Sequence, residues 1–290
     1  MTALREVARA KLNLTLEVLG RRADGFHELQ SLVAFAALGD TVELRPGDAL
    51  QLVVEGPFAK ALSGDNLILR AAEAAKTANT GLGLGTFRLI KELPVAAGLG
   101  GGSADAAAAL RLLARASPGA LAQDKILSIA QRLGSDVSVC LNSLPALITG
   151  RGEKVELVRG FPSCGALLAN PGPPLATAAV YGTLDAAPLA SSPPKKPELP
   201  DFAGSFETLV AYVLPRGNAL EGPAARLVPA IREVLAALLA LSGARVARLS
   251  GSGPTCFALF ASEDEAKRAG AALAVQHPAW WIAGSALQAS

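Results

Sequence analysis

The sequence predicts an α+β protein in two halves, residues 1–158 and 159–290, and three observations carry the prediction. Period-two strand patterns and 3.6-period helix patterns alternate within both halves. A chain of 290 residues can bury a large core and by length favours two domains over one. Around residue 160 the character changes, and a proline- and serine-rich excursion, Pro188–Pro200, follows.

The elements read in order. "ARAKLNLTLEVLG" alternates, with Leu12, Leu14, Leu16 and Val18 on one face and Lys11, Asn13, Thr15 and Glu17 on the other, as in a half-solvated strand. "GRRADGFHELQ" is a turn-rich loop returning to the apolar run Leu32 to Leu38. "DTVEL" and "ALQLVVEG" read as separate strands. "DNLILRAAEAAKTA" reads as an amphipathic helix with Asp65 as its N-cap. "GTFRLIKELP" is a strand leading into glycines, and an alanine-rich interior helix starts near Ser103. "DKILSIAQRLG" is a helix closed by Gly134. In the second half, helices are expected at Phe206–Leu214, Ala224–Leu241 and "DEAKRAGAALAVQ". "RVARLSGSGPTCFALFAS" gives two strands about a glycine turn, and "WWIAGSAL" a last strand.

Composition excludes several functions. Net charge is +2 with no basic block, which speaks against nucleic acid, and the pair Lys195–Lys196 reads as a solvated linker. Three cysteines and two histidines, widely spaced, offer neither a disulfide framework nor a zinc site. No apolar run has signal-peptide or membrane-spanning character, so a cytoplasmic protein without a membrane partner is expected.

"PVAAGLGGGSADAAAAL" places Gly98, Gly100, Gly101 and Gly102 before a helix. Backbone without Cβ atoms can close on an anion, and the orphan N–H groups of the helix add to the cradle. A tight turn is the plainer alternative. Three phosphate-loop patterns fail here. The P-loop needs Lys and Ser/Thr after its last glycine, where this chain has Ser103-Ala104-Asp105. The dinucleotide pattern belongs after a first strand, and protein kinases carry Asp-Phe-Gly and His-Arg-Asp partners that are absent.

The remaining pattern, Pro-x-x-x-Gly-Leu-Gly-Gly-Gly-Ser-x-Asp-Ala-Ala, strongly resembles the phosphate-binding motif of the GHMP kinase superfamily, the group of galactokinase, homoserine kinase and mevalonate kinase. "RLSGSGPTCFALF" resembles its third motif, and "KLNL" followed by "GFHELQS" narrows the resemblance to the branch acting on 4-diphosphocytidyl-2-C-methyl-D-erythritol. The match runs in order from Ala10 to Phe260. It implies the two-domain GHMP kinase fold, with a ribosomal-protein-S5-like, left-handed βαβ-type N-terminal domain and a ferredoxin-like C-terminal one. The implied chemistry is ATP- and Mg²⁺-dependent phosphorylation of that substrate's 2-hydroxyl, in isoprenoid precursor synthesis.

The resemblance also implies roles. Pro94, Ala96, Ala97, Gly98, Leu99, Gly100, Gly101, Gly102, Ser103 and Ala104 would form the ATP loop, with Ser103 also toward Mg²⁺, and Asn66 and Lys91 would serve the nucleoside. By spacing alone Ser103 and Asp136 are helix caps and Lys11 a solvated lysine; the resemblance makes Asp136 the catalytic base and Lys11 its partner. Asp105 is left as a cap or an indirect metal partner. Asn13, Gly251 and Gly253 would approach substrate, and the cytosine ring would stack between Phe26 and Tyr181 with His27 on its polar edge. A β-branched residue at Gly101 would crowd the phosphates and oppose a positive φ there. Three positions depart from the family pattern: Phe26 stands for a frequent tyrosine, Ala219 in "NALE" for an aspartate, and Pro188–Pro200 has no counterpart.

Overall fold

Apolar alternation and helix periodicity resolve into eleven strands and nine α-helices among the described residues, 3–62, 64–190 and 197–289, of a computed structural model. In chain order these begin β1 (Leu4–Asn13), β2 (Glu17–Arg21), β3 (His27–Arg45), β4 (Gln51–Glu55), α1 (Leu67–Ala78) and β5 (Thr86–Ile90). Then come α2 (Gly101–Ala116), α3 (Gln123–Leu133), α4 (Ser135–Asn142), β6 (Ala146–Gly150), β7 (Lys154–Leu157) and β8 (Cys164–Asn170). The last are α5 (Thr177–Gly182), α6 (Phe206–Val213), α7 (Glu221–Leu227), α8 (Ala230–Leu239), β9 (Val246–Leu249), β10 (Cys256–Phe260), α9 (Glu263–Gln276) and β11 (Trp281–Leu287). Lys195–Lys196 lies outside the described residues. No helix among the described residues is long and apolar enough to cross a membrane.

Two compact units form. One takes residues up to Lys11, Leu38–Val95 and Gly100–Ser143; the other takes Leu12–Ala37, Ala96–Leu99 and the chain from Leu144 onward. In the first, β4 and β5 pair in parallel, with α1 as the crossover, and β5 runs antiparallel to the second half of β3. Its core is helical: Ile68, Ala71 and Ala75 of α1 and Ala106–Ala109, Leu110, Leu112 and Leu113 of α2 are buried, with Ile129, Val137 and Val139 from α3 and α4. Alanine at five of the nine buried positions of α2 lets its neighbours approach closely, while its three buried leucines supply about 1.5–3 kcal/mol each of burial.

In the second unit the strands lie in the order β11-β8-β10-β9, all neighbours antiparallel. With α5–α8 between β8 and β9 and α9 between β10 and β11, this is the ferredoxin-like arrangement. Leu167, Ala169, Ile231, Val234, Leu238, Phe260 and Leu273 pack in its core.

Several local expectations change. The N-terminal strand is not half-solvated, because Lys11, Asn13 and Thr15 are buried like the leucines between them. The apolar run and "DTVEL" are one strand, β3. Gly39, in its middle, is a close-approach point: a Cβ there would stand 2.8 Å from the Arg9 Cα. The helix expected over Ala224–Leu241 is two, parted at Val228-Pro229, where proline cannot continue the α7 hydrogen-bond ladder. The cap of α1 is Asn66, whose side-chain oxygen accepts from the Ile68 N–H at 2.9 Å. Asp65 instead pairs with Arg70 at 3.5 Å.

Candidate active site

The glycine loop is built in two parts, and each glycine has a separate reason. Helix α2 starts at Gly101, two residues earlier than Ser103, with Gly100 (φ +63°) as its N-cap and no side-chain cap. Its first ladder bond runs from the Ala104 N–H to the Gly100 carbonyl at 2.9 Å. The N–H groups of Gly101, Gly102 and Ser103 are therefore left over by the helix geometry, as an anion cradle requires. Ser103 is the third helical residue and does not cap.

Gly98 (φ +74°) has no room for a Cβ, which would stand 2.7 Å from the Gly253 N and closer still to the Ser250 carbonyl oxygen. Gly251 (φ +54°) reciprocates, its Cβ position lying 3.1 Å from the Gly98 oxygen and 3.3 Å from the Asn13 Oδ1. What Gly98, Gly251 and Gly253 admit is thus backbone and side chain of this protein; both C-terminal glycines are buried. Ser250 Oγ donates to the Gly98 carbonyl (3.0 Å) and the Thr255 N–H to the Ala97 carbonyl (3.2 Å). Ala97, Leu99 and Ala104 are buried and offer only backbone, whereas Pro94 is half-buried and Ala96, with φ +52°, exposed. Only Gly102 opens outward, its nearest neighbour being Leu67 Cδ1 at 3.6 Å.

Lys11, 4 % exposed on β1, sends its Nζ to the Asp136 Oδ1 at 2.8 Å. Asp136 is the second residue of α4, whose N-cap is Gly134 without a side-chain cap, so the carboxylate does not cap the helix. Its side chain is 38 % exposed, reachable from solvent and held from beneath by a buried ammonium. Gly100 belongs to the same corner: a Cβ on it would sit 3.3 Å from the Lys11 side chain.

Lys91 corrects an expectation. It is 2 % exposed, its Nζ bound by Asp40 Oδ2 and, at 3.1 Å, by Asp105 Oδ2, so it presents no ammonium to a nucleoside. The two carboxylates hold its pKa above the usual lysine value in spite of burial, which acts the other way. Burial, opposed by Lys91 and reinforced by Asp40, pushes the Asp105 carboxyl up to about 7. Asp105 lies beyond the first turn of α2, is no cap, and is spent on Lys91.

Asn13 is buried too. Its Nδ2 donates to Ser31 Oγ at 2.8 Å, so that amide is committed within the protein. Asn218 of "NALE" donates to the carbonyls of Leu249 (2.9 Å) and Gly251 (2.8 Å), and Glu221 accepts from the Leu249 N–H at 3.0 Å. Those two residues hold the C-terminal turn, and Ala219 between them is not needed for it.

The aromatic residues come together in a different order from the expected one. His27 stacks on Tyr181, centroids 5.0 Å apart and planes at 27°. Phe26, 56 % exposed, lies under the Arg151 guanidinium at 5.0 Å. Burial, then Arg21, lowers the His27 pKa, keeping the imidazole neutral near pH 7 with one donor and one acceptor nitrogen. Sequence reading missed Asp40, Arg151 and Ser250. An isolated acid, a turn arginine and a strand-end serine carry no local signal; only long-range pairing gives them partners.

Residues 66–143 match the GHMP kinases N-terminal domain and residues 203–278 the GHMP kinases C-terminal model. With the glycine-led helix, they define the class: an ATP-dependent phosphotransferase of two-domain GHMP kinase fold. A 4-diphosphocytidyl-2-C-methyl-D-erythritol kinase from Parvibaculum lavamentivorans is 50 % identical over 285 residues, covering 97 % of each chain. One from Methylorubrum extorquens is 46 % identical, over 97 % of this chain and 98 % of its own. A crystal structure titled 4-(cytidine 5'-diphospho)-2C-methyl-D-erythritol kinase superposes with TM-score 0.78 at 33 % identity, covering 99 % and 100 %. Homoserine kinase from Cytophaga hutchinsonii, at 18 % identity and TM-score 0.69, shares the fold. The chain belongs to the 4-diphosphocytidyl-2-C-methyl-D-erythritol kinase family.

Proposed function

We propose that the protein transfers the γ-phosphoryl group of ATP to the 2-hydroxyl of 4-diphosphocytidyl-2-C-methyl-D-erythritol, a step of non-mevalonate isoprenoid precursor synthesis. The observation carrying this reading is the Lys11–Asp136 pair: a solvent-reachable carboxylate held by a buried ammonium. Phosphoryl transfer asks for positioning, charge neutralisation and a place for the hydroxyl proton. Asp136 accepts that proton. Lys11 keeps the carboxylate oriented and stabilises the developing alkoxide. The N–H groups of Gly101, Gly102 and Ser103 hold phosphate oxygens at the positive end of α2.

Mg²⁺ suits this donor set. It takes one or two protein ligands and the rest from phosphates and water. Among the described residues no three His, Cys, Asp or Glu side chains gather as a self-sufficient metal site. The Ser103 hydroxyl, in the first turn of α2, would be the protein's ligand. The ion, when bound, neutralises charge on the phosphates.

The pyrimidine is read by Phe26, His27 and Tyr181. Because His27 already stacks on Tyr181, the base lies against the exposed Phe26 ring and His27 turns a ring nitrogen to its edge. The domain join is kept at residues 158/159, between the two family matches. Three cysteines without disulfides suit the reducing cytoplasm. Purified protein assayed for ATP turnover with the cytidyl alcohol, mevalonate and homoserine in parallel tests the reading. Turnover with the first alone is expected, and preference for either of the others overturns it.

A further inference from the structure

We infer that Asp40, Lys91 and Asp105 are positioning residues for the nucleotide, a buried brace of three ionisable side chains that fixes the N-terminus of α2 and with it the N–H groups of Gly101–Ser103. The inference rests on the ATP reading and goes beyond it, since none of the three touches the ligand.

The three groups come from separate stretches of the chain: Asp40 from β3, Lys91 from the residue after β5, Asp105 from α2. Asp40 Oδ1 accepts from the N–H groups of Glu92 (2.6 Å) and Leu93 (2.8 Å), while its Oδ2 binds Lys91. Lys91 then reaches Asp105 Oδ2 at 3.1 Å. A continuous polar path thus joins the strand backbone to the helix.

The N-terminal half of α2, ahead of its buried leucines, offers little else to do this. Apart from Asp105 its buried residues there are alanines, Ala104 and Ala106–Ala109, which pack closely but present similar small knobs at successive positions. Such a face resists separation better than it resists rotation or sliding. One residue of slip turns a helix by about 100° and would carry the orphan N–H groups off their target. A polar contact at a single position breaks that degeneracy, the best-attested use of a buried polar group.

Two further observations fit a positioning role better than simple stabilisation. Among the described residues, Asp105 Oδ1 is buried with no hydrogen-bond partner, a cost that an apolar residue would avoid. And the ammonium lies directly beneath the first helical residue: a Cβ on Gly101 would stand 3.0 Å from Lys91 Nζ and 3.5 Å from Asp40 Oδ2. A side chain at residue 101 would therefore press on the brace itself.

Asp105→Ala tests the inference, with Asp105→Asn as the conservative variant that keeps an oxygen for Lys91. ATP affinity is measured by calorimetry without the alcohol, beside KM for the alcohol and the melting temperature. Misplacing the cradle should weaken ATP binding about tenfold in Asp105→Ala while KM for the alcohol holds, with Asp105→Asn within about threefold of wild type. A lowered melting temperature with wild-type ATP affinity overturns the inference, as does Asp105→Asn failing equally. Should Asp105→Ala not fold, Asp40→Asn, which keeps an oxygen for the Glu92 and Leu93 N–H groups but removes the charge facing Lys91, carries the test. Weakened ATP binding then supports the brace, and unchanged affinity rejects it. A wild type that binds ATP but does not turn over the cytidyl alcohol sinks the substrate reading and leaves this inference standing.

Discussion

Asp136 and Lys11 show how little a single residue announces its chemistry. Spacing alone made one a helix cap and the other a solvated lysine, and only the ordered match from Ala10 to Phe260 suggested more. Their 2.8 Å contact joins positions 125 residues apart, which no local pattern encodes. Asp136→Asn, nearly isosteric, keeps a partner for Lys11 but cannot take a proton. Turnover should fall by on the order of 10²–10⁴ while ATP still binds. A folded variant with near-normal kcat would remove Asp136 as the base. At the pyrimidine end, Phe26→Ala should cost about 1–3 kcal/mol of base stacking, appearing mainly in KM for the cytidyl alcohol. His27→Ala should reduce the preference for cytosine over uracil, since the edge contact separates the two. Wild-type KM and base preference in both variants would put the pocket elsewhere.

At the scale of elements, the glycine loop was legible as a unit and illegible in its parts. Four glycines before a helix signalled backbone approach, but not to what. Gly98 makes way for the Ser250–Gly253 turn, Gly100 for Lys11 and Gly101 for Lys91, leaving Gly102 facing outward. Gly101 does not have a positive φ, so the expected strain at that position does not exist. A valine there would instead collide with the buried ion pair. Gly102→Val is the cleaner probe of the cradle, because only Leu67 lies near and the fold should survive. ATP binding by calorimetry should weaken several-fold in Gly102→Val with little change in melting temperature, whereas Gly101→Val should lose stability as well. Equal ATP affinity in wild type and Gly102→Val would show that phosphate does not approach that residue.

For the whole molecule, the class of fold was readable from periodicity and the partners of each strand were not. A 19-residue β3 passing through Gly39 looked like two strands because glycine and aspartate imitate a turn. The same long-range pairing buries Asp105, which gives global stability a distinctive pH dependence. In the folded chain Asp105 holds its proton up to about 7, against an ordinary value of 3.8. Between those values the folded state binds more protons than the unfolded one, so Asp105 lowers stability progressively as pH rises through the window, and the effect levels off above it. His27, with its pKa lowered, acts in the opposite sense: its contribution is present above about 6.5 and is lost as pH falls. The exposed pairs Arg88–Glu55 and Arg245–Glu207 are screened by solvent and add little. Asparagine at position 105 cannot titrate, so the comparison takes the Asp105 proton out of the interacting trio. The urea midpoint of Asp105→Asn relative to wild type should therefore rise between about pH 4 and about pH 7 and stay constant beyond. Parallel midpoints across that range would mean that Asp105 ionises at an ordinary carboxylate pKa in the folded protein, and that Lys91 alone compensates for its burial.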